Sequence, residues 1–492
     1  VAATDPTATI DEEASGVEGA RAPAEALALA VAWCADAPWR AGEIAFLPPG
    51  RLGDARLFGR GEALPGDPHP RLAFARQRPQ GIEVAPAFEL GKISRAQLVL
   101  SASGLDHILV RNVGRCPLLV GGVRVEQATI APGRTLQLGQ QLLLLCVRRP
   151  VSLPAPPADY PAGAFGAADG LGIVGESACI WRLRQQLGLV GPRSGHVLLL
   201  GASGSGKELA ARALHALSER HRRPLVARNA ATIPESLVDA ELFGNTRNYP
   251  NPGMAERSGL IGEAHGSTLF LDEIAEIPPA MQAHLLRVLD GGEYHRLGES
   301  VARRSEMRLI AATSRHAADL KHDLLARFAY RIEIPDLNAR REDVPLLIAH
   351  LLHRLGESDP ALRAALGSAP GDEACAVSLG LCAQLVERSY AGNLRELERL
   401  LLQAFVESGG APLGSVPGVT EDADVAVSPG ETVPPPPLVP VSDDLRPERI
   451  QAVLDQHNGR IEAASRTLGL KNRFVLGRLI AKYGLEVRRR RS

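Results

Sequence analysis

The sequence predicts three successive folds: an all-β sandwich, an α/β module on a parallel sheet closed by an α-helical lid, and a small all-α end. Three observations predict this order. Between Leu27 and Val147 short apolar runs recur, broken by Gly and Pro, the texture of a sandwich or barrel. From Leu171 to Ser408 strand-like runs alternate with helix-like runs, as parallel strands with crossover helices require. The segment 446–492 reads as three short helices, two of them joined by a turn at Gly469, the helix-turn-helix pattern. A length of 492 residues agrees with roughly three domains at about 150 residues each.

Composition narrows the classes. The apolar fraction of 45% is ample for buried cores, and no run approaches the roughly 18 apolar residues of a membrane span, so no membrane partner is expected. The opening VAATDPTATIDEEASG has no basic stretch followed by an apolar one, so a cytoplasmic location is expected. Cys34, Cys116, Cys146, Cys179, Cys375 and Cys382 are scattered without C-x-x-C spacing. They read as reduced core residues and not as a metal site or disulfide framework. The net charge of -1 becomes informative only when divided by region.

In chain order, residues 1–26 are small, acidic and aperiodic, an expected disordered arm. The sandwich is expected over 27–149, with strands near 27–33, 42–47, 97–100, 107–110, 118–120 and 142–147. Residues 150–170 are rich in Pro and Ala and predict a semi-extended linker. In 171–408 the strand candidates are 197–200, 225–228, 268–271, 309–312 and 332–334, and helices at 346–355 and 394–406 form the lid. A second proline-rich linker covers 409–445, and the helical end 446–492 follows.

The stretch with the clearest chemistry is GASGSGKE: Gly201, Ala202, Ser203, Gly204, Ser205, Gly206, Lys207 and Glu208. It lies between an apolar strand and a helix. Glycines let backbone N–H groups close around phosphate oxygens, and the helix N-terminus adds its positive dipole end. Lys207 is placed to reach the β- and γ-phosphates. A second motif, STLFLDEI at 267–274, is an apolar strand ending in Asp272 and Glu273. Such a pair suits one carboxylate for Mg²⁺ and one for the attacking water. Together the motifs predict binding of ATP with Mg²⁺.

Two resemblances refine these expectations. The region 27–149 resembles a forkhead-associated domain, a β-sandwich that binds phosphothreonine peptides. Arg60 matches its G-R motif, and Ser94 with Arg95 its S-R-x-H motif, while Gln97 stands at the histidine and VGG (120–122) replaces the usual N-G. The resemblance implies a phosphothreonine protein or a kinase signal as partner, with guanidinium groups on the phosphate dianion.

Residues 173–406 look like the AAA+ domain of bacterial enhancer-binding proteins, which activate sigma-54 RNA polymerase. That family also carries glutamate after the P-loop lysine. The resemblance implies an ATPase assembled as a homo-oligomeric ring. It implies that Asn229 restrains the catalytic Glu273, that Asp272 holds the metal, and that Arg395 in GNLREL touches nucleotide phosphates. Arg327 matches one of two arginines offered to a neighbouring subunit, and Lys321 replaces the other. Ser314 replaces the sensor asparagine, and NYPNPG at 248–253 stands where the family has G-A-F-T-G-A. That replacement leaves two readings open: a motor that remodels sigma-54 polymerase, or an ATP-assembled DNA-binding regulator that does not.

The end of the chain, NGRIEAASRTLGLKNRFVLGRLIAKYGL, resembles a Fis-type helix-turn-helix. Between 446 and 492 there are twelve basic and four acidic residues, a net of +8, which suits duplex DNA. Lys471, Asn472 and Arg473 open its second helix, the end that meets base edges, and Arg478 and Lys482 lie further along. Promoter or enhancer DNA is the expected partner.

Overall fold

The computed structural model describes residues 24–47, 54–249, 251–359 and 377–408, with a few isolated positions beyond them. Val1–Thr420 is one compact unit and Glu421–Ser492 a second. Lys471, Asn472, Arg473, Arg478 and Lys482 lie outside the described residues, as do residues 1–23 of the arm.

The first twelve strands form the sandwich: β1 (Glu25–Cys34), β2 (Ile44–Leu47), β3 (Arg56–Phe58), β4 (Ala75–Arg78), β5 (Gly81–Val84), β6 (Leu98–Ser103), β7 (His107–Asn112), β8 (Leu118–Val120), β9 (Val123–Val125), β10 (Gln127–Ile130), β11 (Thr135–Leu138) and β12 (Leu142–Pro150). One sheet runs β5-β4-β2-β1-β12-β11-β8-β9 and the other β10-β7-β6-β3. Strands begin at Glu25, inside the segment expected as an arm, because EALALAVAWC pairs along β12 from its first residue. The β4–β5 hairpin was not expected from the sequence; its ARQR and GIEV are too polar and too short to stand out.

The second half holds β13 (Val197–Leu200), β14 (Val226–Asn229), β15 (Thr268–Asp272), a small ladder of β16 (Glu293–Tyr294) and β17 (Arg303–Arg304), β18 (Arg308–Thr313) and β19 (Tyr330–Glu333). The parallel sheet has the order β14-β15-β18-β13-β19. Around it lie α1 (Ala178–Val190), α2 (Lys207–Ala216), α3 (Val238–Phe243), α4 (Leu260–Glu263), α5 (Pro279–Gly291) and α6 (His322–Leu325). Leu198, Leu269, Leu271 and Leu309 face one core, and Val197, Leu199, Phe270 and Ile310 the other. Both faces are covered, so these strands read as continuous apolar runs. The lid follows as α7 (Val344–Ser358), α8 (Leu379–Glu387) and α9 (Asn393–Ser408).

The two halves share a core. In β1 and β12 the side chains divide by face: Leu27, Leu29, Val31, Leu142 and Leu144 enter the sandwich. Ala30, Ala32, Leu143 and Leu145 instead join Val344, Leu347, Leu381 and Leu385 of the lid. Alternating alanine on the lid-facing side of β1 lets the helices approach closely, and each fully buried leucine contributes about 1.5–3 kcal/mol.

Polar groups frame this seam. Trp33 Nε1 donates to Val377 O at 2.9 Å, and Thr135 N–H and Oγ1 each donate to Glu387 Oε1 at 2.8 Å. Arg149 is 2% exposed, pairs with Glu342 at 2.9 Å, and donates to Gln77 Oε1 at 2.6 Å and Glu176 O at 2.5 Å. Arg78 reaches Glu176 at 2.7 Å. The sandwich therefore grips both the lid and the segment entering α1. The stretch 151–170 is irregular, as its prolines dictate, but it is packed: Leu153 and Tyr160 are buried, and Tyr160 donates to Asp169 Oδ2 at 2.9 Å.

Arg149→Ala should cost about 3–5 kcal/mol, since it strands Glu342 and two further acceptors, Gln77 Oε1 and Glu176 O, in a buried seam. Glu208→Ala, which breaks an exposed pair with Arg212, should cost less than about 0.5 kcal/mol. Urea titration of the two variants compares them; equal midpoints would remove Arg149 as the bracket.

Candidate functional site

At the carboxyl ends of the parallel strands, β13 runs directly into the glycine-rich turn. Gly204 (φ +74°) and Gly206 (φ +107°) occupy the left-handed region, where only glycine is unstrained. Gly206 caps α2, and Lys207 is its first residue. Lys207, 6% exposed, donates to Gly201 O at 2.9 Å and lies 3.6 Å from Glu273 Oε1. The buried Ser205 Oγ has no hydrogen-bond partner. Glu208 points out to Arg212 at 2.7 Å.

Parallel pairing of β14 with β15 sets Asn229 beside Asp272. Burial raises the Asp272 carboxyl above its ordinary range, Glu273 adds to the rise, and Lys207 opposes it. Glu273 sits at φ +51°, a conformation a non-glycine residue adopts at a cost of about 1–3 kcal/mol and that concentrates at functional sites. Its Oε2 accepts from Ser314 N–H at 3.0 Å and from Ser314 Oγ at 2.9 Å. Here the structure differs from the expectation for Asn229, whose Oδ1 instead accepts from Ala231 N–H at 2.9 Å and caps the turn after β14. Ser314 at the end of β18 is the residue that orients Glu273.

The lid closes over the turn. Leu394 N–H donates to Gly204 O at 3.2 Å, Asn393 Nδ2 to Ser203 O at 3.0 Å, and Arg395 Nη1 to Ser203 Oγ at 3.3 Å. A Cβ on Gly204 would stand 2.5 Å from Gly392 O, so only glycine permits this contact. Beside the turn a cavity of about 160 Å³ is lined by Ile173, Val174, Ile180, Leu347, Leu351 and Arg340. Arg327 and Lys321 stand apart. Arg327 pairs with Asp290 at the end of α5, its Nη2 donating to Oδ2 at 3.0 Å, and Lys321 is an exposed residue preceding α6. Asn393 and Arg340 were not singled out from sequence, although Asn393 lies inside the GNLREL motif.

The model of the Sigma-54 interaction domain matches residues 173–338. The transcriptional regulatory protein ZraR of Escherichia coli strain K12 is 36% identical over 319 residues, 63% of this chain and 69% of that protein. The chain belongs to the sigma-54-interacting family of AAA+ transcriptional regulators. The Nif-specific regulatory protein of Bradyrhizobium diazoefficiens is 32% identical over 65% of this chain and 61% of that protein. The C4-dicarboxylate transport transcriptional regulatory protein DctD of Rhizobium meliloti is 33% identical over 64% and 65%. NtrX from Brucella abortus, solved in complex with ADP, aligns over 64% of this chain and 70% of that one at 26% identity and TM-score 0.45.

In this member of the family, the loop after α3 is tied to itself. Asn248 N–H donates to Met254 O at 2.9 Å, Gly253 N–H to Asn248 Oδ1 at 3.0 Å, and the buried Asn245 Nδ2 to Thr246, Tyr249 and Ala255 carbonyls. The Tyr249 ring lies over Gly298, where a Cβ would meet it at 2.6 Å.

On the sandwich, Arg60 N–H donates to Ser94 O at 3.0 Å, and Gly59 passes so close to Arg95 O that a Cβ would sit 1.8 Å from it. Arg60, Ser94 and Arg95 thus share one rim, joined by Arg71, which donates to Arg95 O at 2.7 Å. Ser94 Oγ accepts from Arg115 N–H at 2.9 Å, leaving its O–H to donate. Gln97 is fully buried: its Oε1 accepts from Ser94 N–H at 3.0 Å and Cys116 N–H at 3.3 Å, and its Nε2 donates to Asn112 Oδ1 at 2.6 Å and Cys116 O at 2.8 Å. The residue at the motif's histidine position is the pin of this rim. Gln97→Leu should cost about 3 kcal/mol, because stranded buried polar groups cost about 1–3 kcal/mol each; a thermal melt of the variant measures it, and an unchanged midpoint would deny Gln97 that role.

Proposed function

We propose that the chain is an ATP-dependent, ring-forming transcription regulator that reads promoter or enhancer DNA through residues 446–492. The observation that carries the ATPase reading is Glu273, held by two hydrogen bonds from Ser314 at a strand tip 3.6 Å from Lys207. ATP would lie with its phosphates over residues 201–208 and its base in the apolar cavity near Ile173 and Leu347. The Asp272 carboxylate, at the strand tip beside Glu273 and Lys207, would hold Mg²⁺, which would supply charge neutralisation to the phosphates.

In the reaction, water attacks the γ-phosphorus, the bond to the β–γ bridging oxygen breaks, and the water proton passes to Glu273. Ser314 keeps that carboxylate aimed, Lys207 and Arg395 offset phosphate charge, and Arg327 is supplied to the next subunit's nucleotide, which requires exchange of its Asp290 partner. Lys321 offers a point charge in place of a second planar fork.

The loop at 245–254 supports a regulator that uses ATP for assembly without opening promoter DNA. Asn245 and Asn248 tie it to its own backbone, and it has no threonine at the position by which the family engages sigma-54. The rim of Arg60, Ser94 and Arg95 supports phosphothreonine recognition.

Glu273→Gln should retain ATP while turnover falls about 100-fold or more, and Ser314→Ala should lower kcat about tenfold with KM held within about twofold. Steady-state turnover measures both; undiminished hydrolysis in Glu273→Gln overturns the assignment. With sigma-54 holoenzyme and ATP, permanganate footprinting should detect no melted promoter, and strand opening would reverse the reading of the loop. Arg60→Ala should weaken a phosphothreonine peptide by about tenfold or more, measured by calorimetry, and equal affinities would exclude Arg60 as a ligand.

A further inference from the structure

The hairpin of β4 and β5 ends the larger sheet of the sandwich, and β5 is its last strand. All four residues of β5 are exposed. Pairing of Arg76 with Glu83 and the bond from Ala85 N–H to Phe74 O fix the phase of the ladder. Hydrogen-bonded pairs alternate in antiparallel strands, so the N–H and C=O of Ile82 and Val84 point away from β4. These two side chains are 48% and 67% exposed. An apolar free edge of this kind is a template for another strand unless something covers it.

Next to that edge lies a cleft of about 510 Å³, walled by Trp39 on the β1–β2 connection and by Val84, Pro86 and Phe88. Trp39 is 67% exposed. The cleft is lined by four carboxylates, Asp36, Glu43, Glu83 and Glu89, and by two guanidiniums, Arg40 and Arg76. Both cations are engaged within the wall. Arg40 pairs with Glu43 at 2.6 Å and stacks 3.5 Å over Phe88, and Arg76 pairs with Glu43 at 3.4 Å. Asp36, Glu83 and Glu89 remain exposed on the rim. An apolar trough with an acidic rim and an unpaired strand edge asks for one chemistry: an extended chain with alternating apolar and cationic side chains.

We propose that β5 and this cleft bind an extended basic segment of a partner protein, which adds as a strand to β5. Backbone groups of the segment pair with Ile82 and Val84, alternate apolar side chains enter the trough against Trp39, and the intervening lysines or arginines meet Asp36, Glu83 and Glu89. The cleft shares no lining residue with the nucleotide cradle, and its Phe88–Leu90 wall adjoins the arginine rim, where Gly61 N–H donates to Phe88 O at 2.9 Å and Arg60 Nη1 to Gly91 O at 3.4 Å.

Intrinsic fluorescence can test it on the full chain, because Trp39 is exposed while Trp181 is buried and the indole N–H of Trp33 is bonded to Val377 O. The probe is a short peptide alternating lysine with leucine, and its counterpart has glutamate for lysine. The lysine peptide should saturate a blue shift of Trp39 emission, bind about tenfold or more tighter than the glutamate peptide, and weaken as salt rises from about 0.05 to 0.5 M. Val84→Pro removes an outward N–H without touching the bonds to β4, so it should abolish the response while the thermal midpoint holds. Glu83→Lys with Glu89→Lys should reverse the peptide preference. Equal binding of the two peptides, no response up to about 1 mM, or full binding by Val84→Pro overturns the proposal. Self-association through the same edge, seen as a concentration-dependent sedimentation shift lost in Val84→Pro, would do so as well, since the occupant would then be a second copy.

Discussion

Burial of β1 and β12 on both faces is the constraint on which the rest of this chain's organisation depends. A strand in an exposed sheet needs one apolar face. These two carry two, leucines toward the sandwich and alanines or further leucines toward the lid. Separating the halves would expose the second face and strand Arg149, Thr135 and Trp33 without their partners. The hydrophobic part of the seam is non-directional, and the polar frame gives it one register.

This arrangement has a consequence for the nucleotide site. The lid touches the glycine-rich turn through Asn393, Leu394 and Arg395, and the same lid carries Glu387 and Leu381, which the sandwich grips. Glu176, held by Arg78, also offers its N–H to Asp343 at 2.7 Å. Contacts from the sandwich therefore reach both walls of the cleft where lid meets base, and a change at the sandwich surface has a packed route inward.

Within the site the division of labour is set by strand ends. The parallel register brings Asp272, Thr313 and the glycine-rich turn to one edge, and the unusual φ of Glu273 turns its carboxylate toward Lys207. Ser314 supplies two donors to a single oxygen of Glu273, so a shorter side chain than asparagine acts with the help of its own backbone. Asn229, on β14 at the opposite side of β15 from Ser314, is left to cap a turn.

The sequence by itself determined a β-rich sandwich ahead of an α/β module, the strands of the parallel sheet, the glycine-rich turn and the carboxylate pair, because each is written in residues close together along the chain. Glycine, lysine and apolar periodicity act locally and can be read locally. What only the tertiary structure decided was which partner each of those residues meets. Asn229 ends β14 and Ser314 follows β18, and only the assembled sheet chooses between them as the partner of Glu273. The double-faced runs EALALAVAWC and LLLLCV did carry a sign of a second covering layer, but nothing local says that the layer is a lid more than 200 residues away. Likewise, Gln97 looks like a lost histidine until its four hydrogen bonds are seen, since a pin between loops is a property of their assembly and not of any one of them.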